Sequence, residues 1–210
     1  MTSDAEKVVQ LPDGSANQNP PDIGFFALVR EDLKIHYGSL WEQGFWALAV
    51  HRFGNWRMGI RPKFLRLPFS LLYKVLNKSV EWSCGISLPY TVKVGRRVRL
   101  WHHGGMILQA REIGDDCQVR QNTTFGVVRY GENTQIPTIG KRVDIGCHAC
   151  ILGSVDIGDD AVIGAGAVVL KDVPEGFIAV GVPAKIIERT QSTPKIQNAI
   201  AQSRKEIDVD

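Results

Sequence analysis

From Ile139 onward the pattern of apolar and polar positions repeats every six residues: IGKRVD, IGCHAC, ILGSVD, IGDDAV, IGAGAV, VLKDVP. An aliphatic residue leads each six (Ile139, Ile145, Ile151, Ile157, Ile163, Val169), and the fifth position is always Val or Ala. A period of six fits neither a helix at 3.6 residues per turn nor a plainly alternating strand. It predicts a parallel β-helix in which each six is one short strand plus a corner, and three sixes make one coil. The leading aliphatic residue stacks in the core over its counterpart one coil away, and the small fifth residue sits at the tight corner. No coil buries its faces alone, so stability accumulates between neighbours.

The same frame extends upstream less regularly. Val94–Arg99 and Leu100–Gly105 read as sixes. Met106 is then expected to open a coil one residue longer, before Ile113, Val119 and Phe125 lead again. The count fails between Phe125 and Ile139, which predicts an excursion around "VVRYGENTQI", and excursions from a rigid scaffold are where function concentrates. Ahead of the coil the period is helical from Phe25 to Trp82, with Trp41, Phe45, Leu48 and Ala49 expected on one face. The expected organisation is a disordered tail over 1–22, a helical region over 23–83, the β-helix over 84–187, and a tail over 188–210 with a short helix near Gln197–Glu206.

Composition adds limits. The 210 residues, 44% hydrophobic and 22% charged, suit a soluble protein with a real core. Between Arg52 and Arg99 eleven basic residues stand against one acid, Glu81, which reads as a solvated face or as a surface for phosphate-bearing or membrane-linked partners. Four cysteines without a secretory leader point to a reducing, cytoplasmic setting, with the inner face of the membrane as the site of any peripheral contact through the basic Arg57–Lys78 helix. "FLRLPFSLLYKVL" is too short and too interrupted to span a bilayer. Cys147-His148-Ala149-Cys150 resembles a metal knuckle, but its two cysteines fall at different places in one coil, so no metal is expected.

The hexapeptides, with "GAGAVVLKDVP" and "AVGVPAK", resemble the hexapeptide-repeat acyltransferases, whose β-helix is left-handed. The resemblance is to serine acetyltransferases, and especially to the related O-acetyltransferases of exopolysaccharide clusters of the colanic-acid type. It covers about residues 25–187 and includes "GFWALAVHRFGNW", which matches the family's G-F-x-A-L-x-x-x-R-x-G-x-W. The implied fold is mainly β, a left-handed parallel β-helix of hexapeptide repeats with an N-terminal α-helical region. The implied donor is acetyl-CoA, and the implied assembly is a homotrimer or a dimer of trimers with the donor groove between neighbouring coils.

The family's catalytic histidine lies in D-H-x-x-G, which "WHHGG" fits with His102 as the histidine. His103 is the alternative, since the polysaccharide relatives write H-H-G with the second histidine active. A positioned imidazole removes the acceptor hydroxyl's proton as it attacks the thioester. Gly126, Cys147 and Ala165 fall where family backbone groups line the pantetheine, and Lys171 and Lys185 could meet CoA phosphates. On the acceptor side the family's histidine-orienting acid falls on Ser87, its serine-binding acid on Trp101, and its R-H-P on Gln135-Ile136-Pro137. With those groups absent, the resemblance implies a saccharide hydroxyl as acceptor, in polysaccharide or cell-envelope assembly. Serine with a rearranged pocket is the alternative. "KEIDVD" lacks the terminal isoleucine of cysteine-synthase partners, so no such complex is expected, nor is a nucleic-acid partner. Two readings of another class stand beside these, a non-catalytic β-helix scaffold and a γ-carbonic-anhydrase-like zinc protein. The latter needs three imidazoles, and adjacent histidines on a strand point to opposite sides.

Overall fold

In a computed structural model the chain is described over residues 14–128 and 135–189. Three helices lead, α1 (Phe25–Ile35), α2 (Gln43–Trp56) and α3 (Lys63–Cys84). Helix α3 ends where Gly85 adopts φ 65° and donates to the Glu81 carbonyl at 3.1 Å. The chain then winds through five coils of short strands. The first holds β1 (Ile86–Ser87), β2 (Lys93–Val94) and β3 (Arg99–Leu100), and the second β4 (Met106–Leu108), β5 (Glu112–Ile113) and β6 (Gln118–Val119). The third holds β7 (Thr124–Gly126), β8 (Thr138–Ile139) and β9 (Asp144–Ile145), and the fourth β10 (Cys150–Leu152), β11 (Asp156–Ile157) and β12 (Val162–Ile163). The fifth holds β13 (Val168–Val169) and β14 (Ile178–Val180), with Val173 bridging to Ile157 between them. An antiparallel strand, β15 (Lys185–Ile187), pairs with β14 and ends the described chain.

Strands one coil apart pair in parallel and build three faces. The first face orders β1-β4-β7-β10-β13, the second β2-β5-β8-β11, and the third β3-β6-β9-β12-β14 with β15 at its edge. The leading aliphatic residues form the inner columns, such as Leu100, Val119, Ile145 and Ile163 on the third face, all buried. Fifth-position residues Val143, Ala149, Ala161 and Ala167 are completely buried at the corners, as six-residue periodicity requires.

The upstream register differs from the expected one. Leu108, not Met106, holds the leading position, because it pairs with Phe125, itself paired with Ile151. The corner between Leu100 and Leu108 is therefore two residues longer than the regular six, and the extra residues lie in Trp101–Gly105. The excursion after Phe125 is also present, since β7 ends at Gly126 and β8 begins at Thr138. Its residues 129–134, and the helix expected near 197–206, lie outside the described residues.

The helices cap the open end of the coil. Along α2 the buried positions include Gly44, Phe45, Leu48, His51, Arg52 and Asn55, while Trp41 lies ahead of the helix and is exposed. Gly44 sits so close to the first coil that a Cβ there would meet the Leu100 carbonyl at 2.3 Å. Arg52 is fully buried and joins three elements. Its guanidinium pairs with Asp32 at 2.9 and 3.4 Å and donates to the carbonyls of Val94 at 2.7 Å and Gly95 at 2.6 Å. Burial pushes the Asp32 carboxyl up while Arg52 holds it back. His36 donates from Nδ1 to the Asp32 carbonyl at 2.7 Å, and its Nε2 accepts from the Leu100 N–H at 3.3 Å, so one neutral tautomer satisfies both bonds. The motif "GFWALAVHRFGNW" is thus a docking device that fixes Leu100, the residue before Trp101-His102. Residues 14–22, expected to be a disordered tail, run along this junction. The N–H of Gln18 donates to Asn55 at 3.1 Å, Asn19 donates to the Arg52 carbonyl at 2.9 Å, and Asp22 pairs with Arg96 at 2.6 Å.

Candidate active site

The widened corner carries the two histidines. It connects the third face to the first, and the corners stacked beyond it share its geometry. Gly105, Asn122, His148 and Gly166 occupy one column, each at φ between 58° and 69°. Their N–H groups continue the column, with Asn122 donating to Gly104, His148 to Gln121, and Gly166 to Cys147. Gly105 needs its missing side chain, because a Cβ would lie 2.4 Å from Asn122 Oδ1.

The segment 101–105 is not a strand, so the alternation expected for adjacent histidines does not apply. His102 takes φ 63°, and both imidazoles are exposed rather than one facing the core. Among the described residues neither ring has a hydrogen-bond partner. The His102 ring lies 6.2 Å from the Trp101 indole, which donates Nε1 to Gln118 at 3.1 Å. The Arg99 guanidinium stacks between aromatic groups, 3.6 Å from the Trp101 ring and 3.8 Å from Tyr37. One face of the indole is thereby occupied from within. Tyr37, Arg99 and Gln118 had no motif to mark them; their sequence signal was only that Gln118 and Arg99 share a register position on neighbouring coils.

Ser87 is half-buried on β1, paired with Ile107 on the first face. Cys147 and Ala165 lie in the histidine corner's column on neighbouring coils, where the Cys147 carbonyl accepts from the Gly166 N–H at 2.8 Å. Gly126 and Lys171 lie at the other edge of the first face, where Gly126 accepts from Gly153 at 2.9 Å and Lys171 is exposed. Gln135 is half-buried on that edge too, beside the buried Ile136. Lys185 is exposed on β15, where it pairs with Val180, the residue stacked over Gly164 beside Ala165 at the end of the histidine corner's column. One chain therefore spreads these candidates over two corners.

His148, which the sequence marks only within a knuckle-like segment, is the third imidazole of the coil. It is exposed, and its Nε2 lies 3.2 Å from Asn122 Nδ2, two coils above the histidine corner. Four cysteines are free thiols; Cys117 is buried, which pushes its thiol up to about 12. Among the described residues no three His, Cys, Asp or Glu side chains are placed to share a metal ion, and no helix is long and apolar enough to cross a membrane.

Comparison with known proteins decides the family. The chain is 36% identical over 122 residues to the serine acetyltransferase of Helicobacter pylori strain J99, a match covering 58% of this chain and 71% of that one. It belongs to the serine acetyltransferase family of hexapeptide-repeat acyltransferases. Soybean serine acetyltransferase complexed with serine superposes with a TM-score of 0.64 at 28% identity, over 78% of this chain and 69% of that one. The serine acetyltransferase of Brucella abortus in complex with coenzyme A gives a TM-score of 0.67 at 22% identity, over 86% and 81%, and likewise shares the fold. The parallel coils and helical lead-in are the left-handed β-helix of these enzymes. No family model matches the chain.

Proposed function

We propose that this protein transfers the acetyl group of acetyl-CoA to an acceptor hydroxyl, with an imidazole of the His102–His103 pair as general base. The observation that carries this reading is the widened Trp101–Gly105 corner, which holds two exposed, unpaired imidazoles on a rigid coil in a chain of the serine acetyltransferase family. The imidazole takes the hydroxyl proton as the oxygen attacks the thioester carbonyl. The C–S bond then breaks, and the imidazolium returns the proton to the departing CoA thiolate. Donors aimed at the developing oxyanion lower the barrier further. Gly126, Cys147, Ala165, Lys171 and Lys185 are the candidate donor contacts, shared between copies in a trimer. The Brucella complex with coenzyme A supports the donor.

Serine is the acceptor that the relatives' names support. A saccharide acceptor is the second reading, and one observation favours it. Ser87 and Trp101 stand beside the histidine corner without a carboxylate, and Trp101 presents an indole already braced by Arg99 and Gln118. A zwitterion held there would need its ammonium paired by other groups.

Thiol release from acetyl-CoA, measured with serine and with a panel of envelope saccharides, tests both readings. Turnover with serine alone rejects the saccharide acceptor, and turnover with a sugar alone rejects serine. His102→Ala together with His103→Ala is expected to lower turnover roughly 100- to 10,000-fold. Undiminished turnover in that double variant refutes the assignment of the base.

A further inference from the structure

Helix α3 carries a surface that the acetyl-transfer reading does not use. Its inner side is anchored by Tyr73 and Cys84, both buried, and by Val80 against the core. Its outer side is largely apolar, interrupted by Lys78 and Ser79 between Val75 and Trp82. Phe64 is 76% exposed, Val75 64% and Trp82 83%, with Leu67, Leu71 and Leu72 exposed between them. At 100° per residue these positions fall on one broad stripe, and the 22-residue helix extends it over about 33 Å. Lys63 and Lys74 follow one border of the stripe, and Lys78 lies just inside it. A shallow groove between Lys74, Val75, Lys78, Ser79 and Trp82 marks its C-terminal half.

We propose that this face lies on an anionic phospholipid surface, parallel to it, with the apolar stripe at the acyl boundary and the lysines among the headgroups. Charge selects lipid over a second copy of the helix. The single acid of α3, Glu81, is already held by Lys78 at 2.5 Å and Asn77 at 3.0 Å, so a copy of this helix offers no free carboxylate. Lys63 and Lys74 have no ion-pair partner among the described residues, and Arg61, beside Lys63, adds a further cation. An apolar stripe bordered by cations is what an interfacial helix requires. The inference stands apart from the choice of acceptor, because no residue of α3 belongs to the candidate site.

Flotation of the full chain with vesicles of phosphatidylcholine alone, or mixed with phosphatidylglycerol, tests it, with oligomeric state followed by light scattering. Flotation is expected only with the anionic vesicles, weakening as salt rises. Lys63→Ala and Lys74→Ala should each lower partitioning about fivefold, and Leu71→Glu with Val75→Glu should abolish it while thiol release in solution persists. Absence of flotation with anionic vesicles, or flotation unchanged in the Leu71/Val75 variant, overturns the proposal. So does a drop in oligomer size in that variant without lipid, which would make the stripe an interface between copies.

Discussion

Arg52 is where removal of one side chain should be felt furthest. Replacing it with Met keeps the volume but deletes four hydrogen bonds, two to Asp32 and one each to the carbonyls of Val94 and Gly95. Asp32 would remain with its side chain fully buried and no counter-charge. Breaking a buried pair from one side costs about 3–5 kcal/mol, since the abandoned charge must be neutralised or hydrated. For a chain of this length that shifts the melting temperature by roughly 6–20 °C. A second change separates charge from staple. Asp32→Leu combined with Arg52→Met removes the orphaned carboxylate, while the two coil carbonyls stay unsatisfied at about 1–3 kcal/mol each. Arg52→Met is therefore expected to melt well below the parent, and the double variant to melt above the single one yet below the parent. Calorimetry or thermal circular dichroism reads the order. A single variant within about 1 kcal/mol of the parent refutes the account, as does a double variant no more stable than the single.

Two further outcomes follow from the same junction and from the corner. His51 is buried, its Nε2 donates to the Val92 carbonyl at 2.9 Å, and burial lowers its pKa from 6.5 to about 3. Between those values the unfolded chain binds the proton and the folded one does not, so stability falls as pH drops below 6.5. The loss should reach about 2 kcal/mol by pH 5, and His51→Gln, read by denaturant titration at both pH values, should flatten that slope. Gly105→Ala should cost at least about 1–2 kcal/mol from its φ of 64° alone, and more because its Cβ would displace Asn122. It should also depress thiol release by shifting the adjacent histidines, and an unchanged rate would argue that their placement does not depend on this corner.

The downstream coils were legible because stacking leaves a trace at every rung. Each leading aliphatic residue must fill the same column and each fifth residue must fit the same corner, so a period of six survives any variation at the outward positions. The histidine corner left no such trace. From Leu100 to Ile113 the spacing is the same whether a long coil opens at Met106 or the widening falls within Trp101–Gly105. Only the pairing of Leu108 with Phe125 separates the two registers. The error in register mattered chemically, because the rule that neighbours alternate holds for a strand and fails at a corner where His102 takes φ 63°. Both rings consequently reach solvent. The lead-in motif was visible as a string, yet its meaning was not. Gly44, Arg52 and Asn55 answer to Leu100, Val94 and Tyr90, partners thirty-five or more residues away, and no local pattern encodes such contacts. The place of His148 was hidden for a related reason: it fills the corner position that Gly105, Asn122 and Gly166 fill elsewhere, and only stacking aligns its ring with Asn122. Side chains that act together in a β-helix are neighbours across coils, so the sequence reports the rungs readily and the columns only once the register is known.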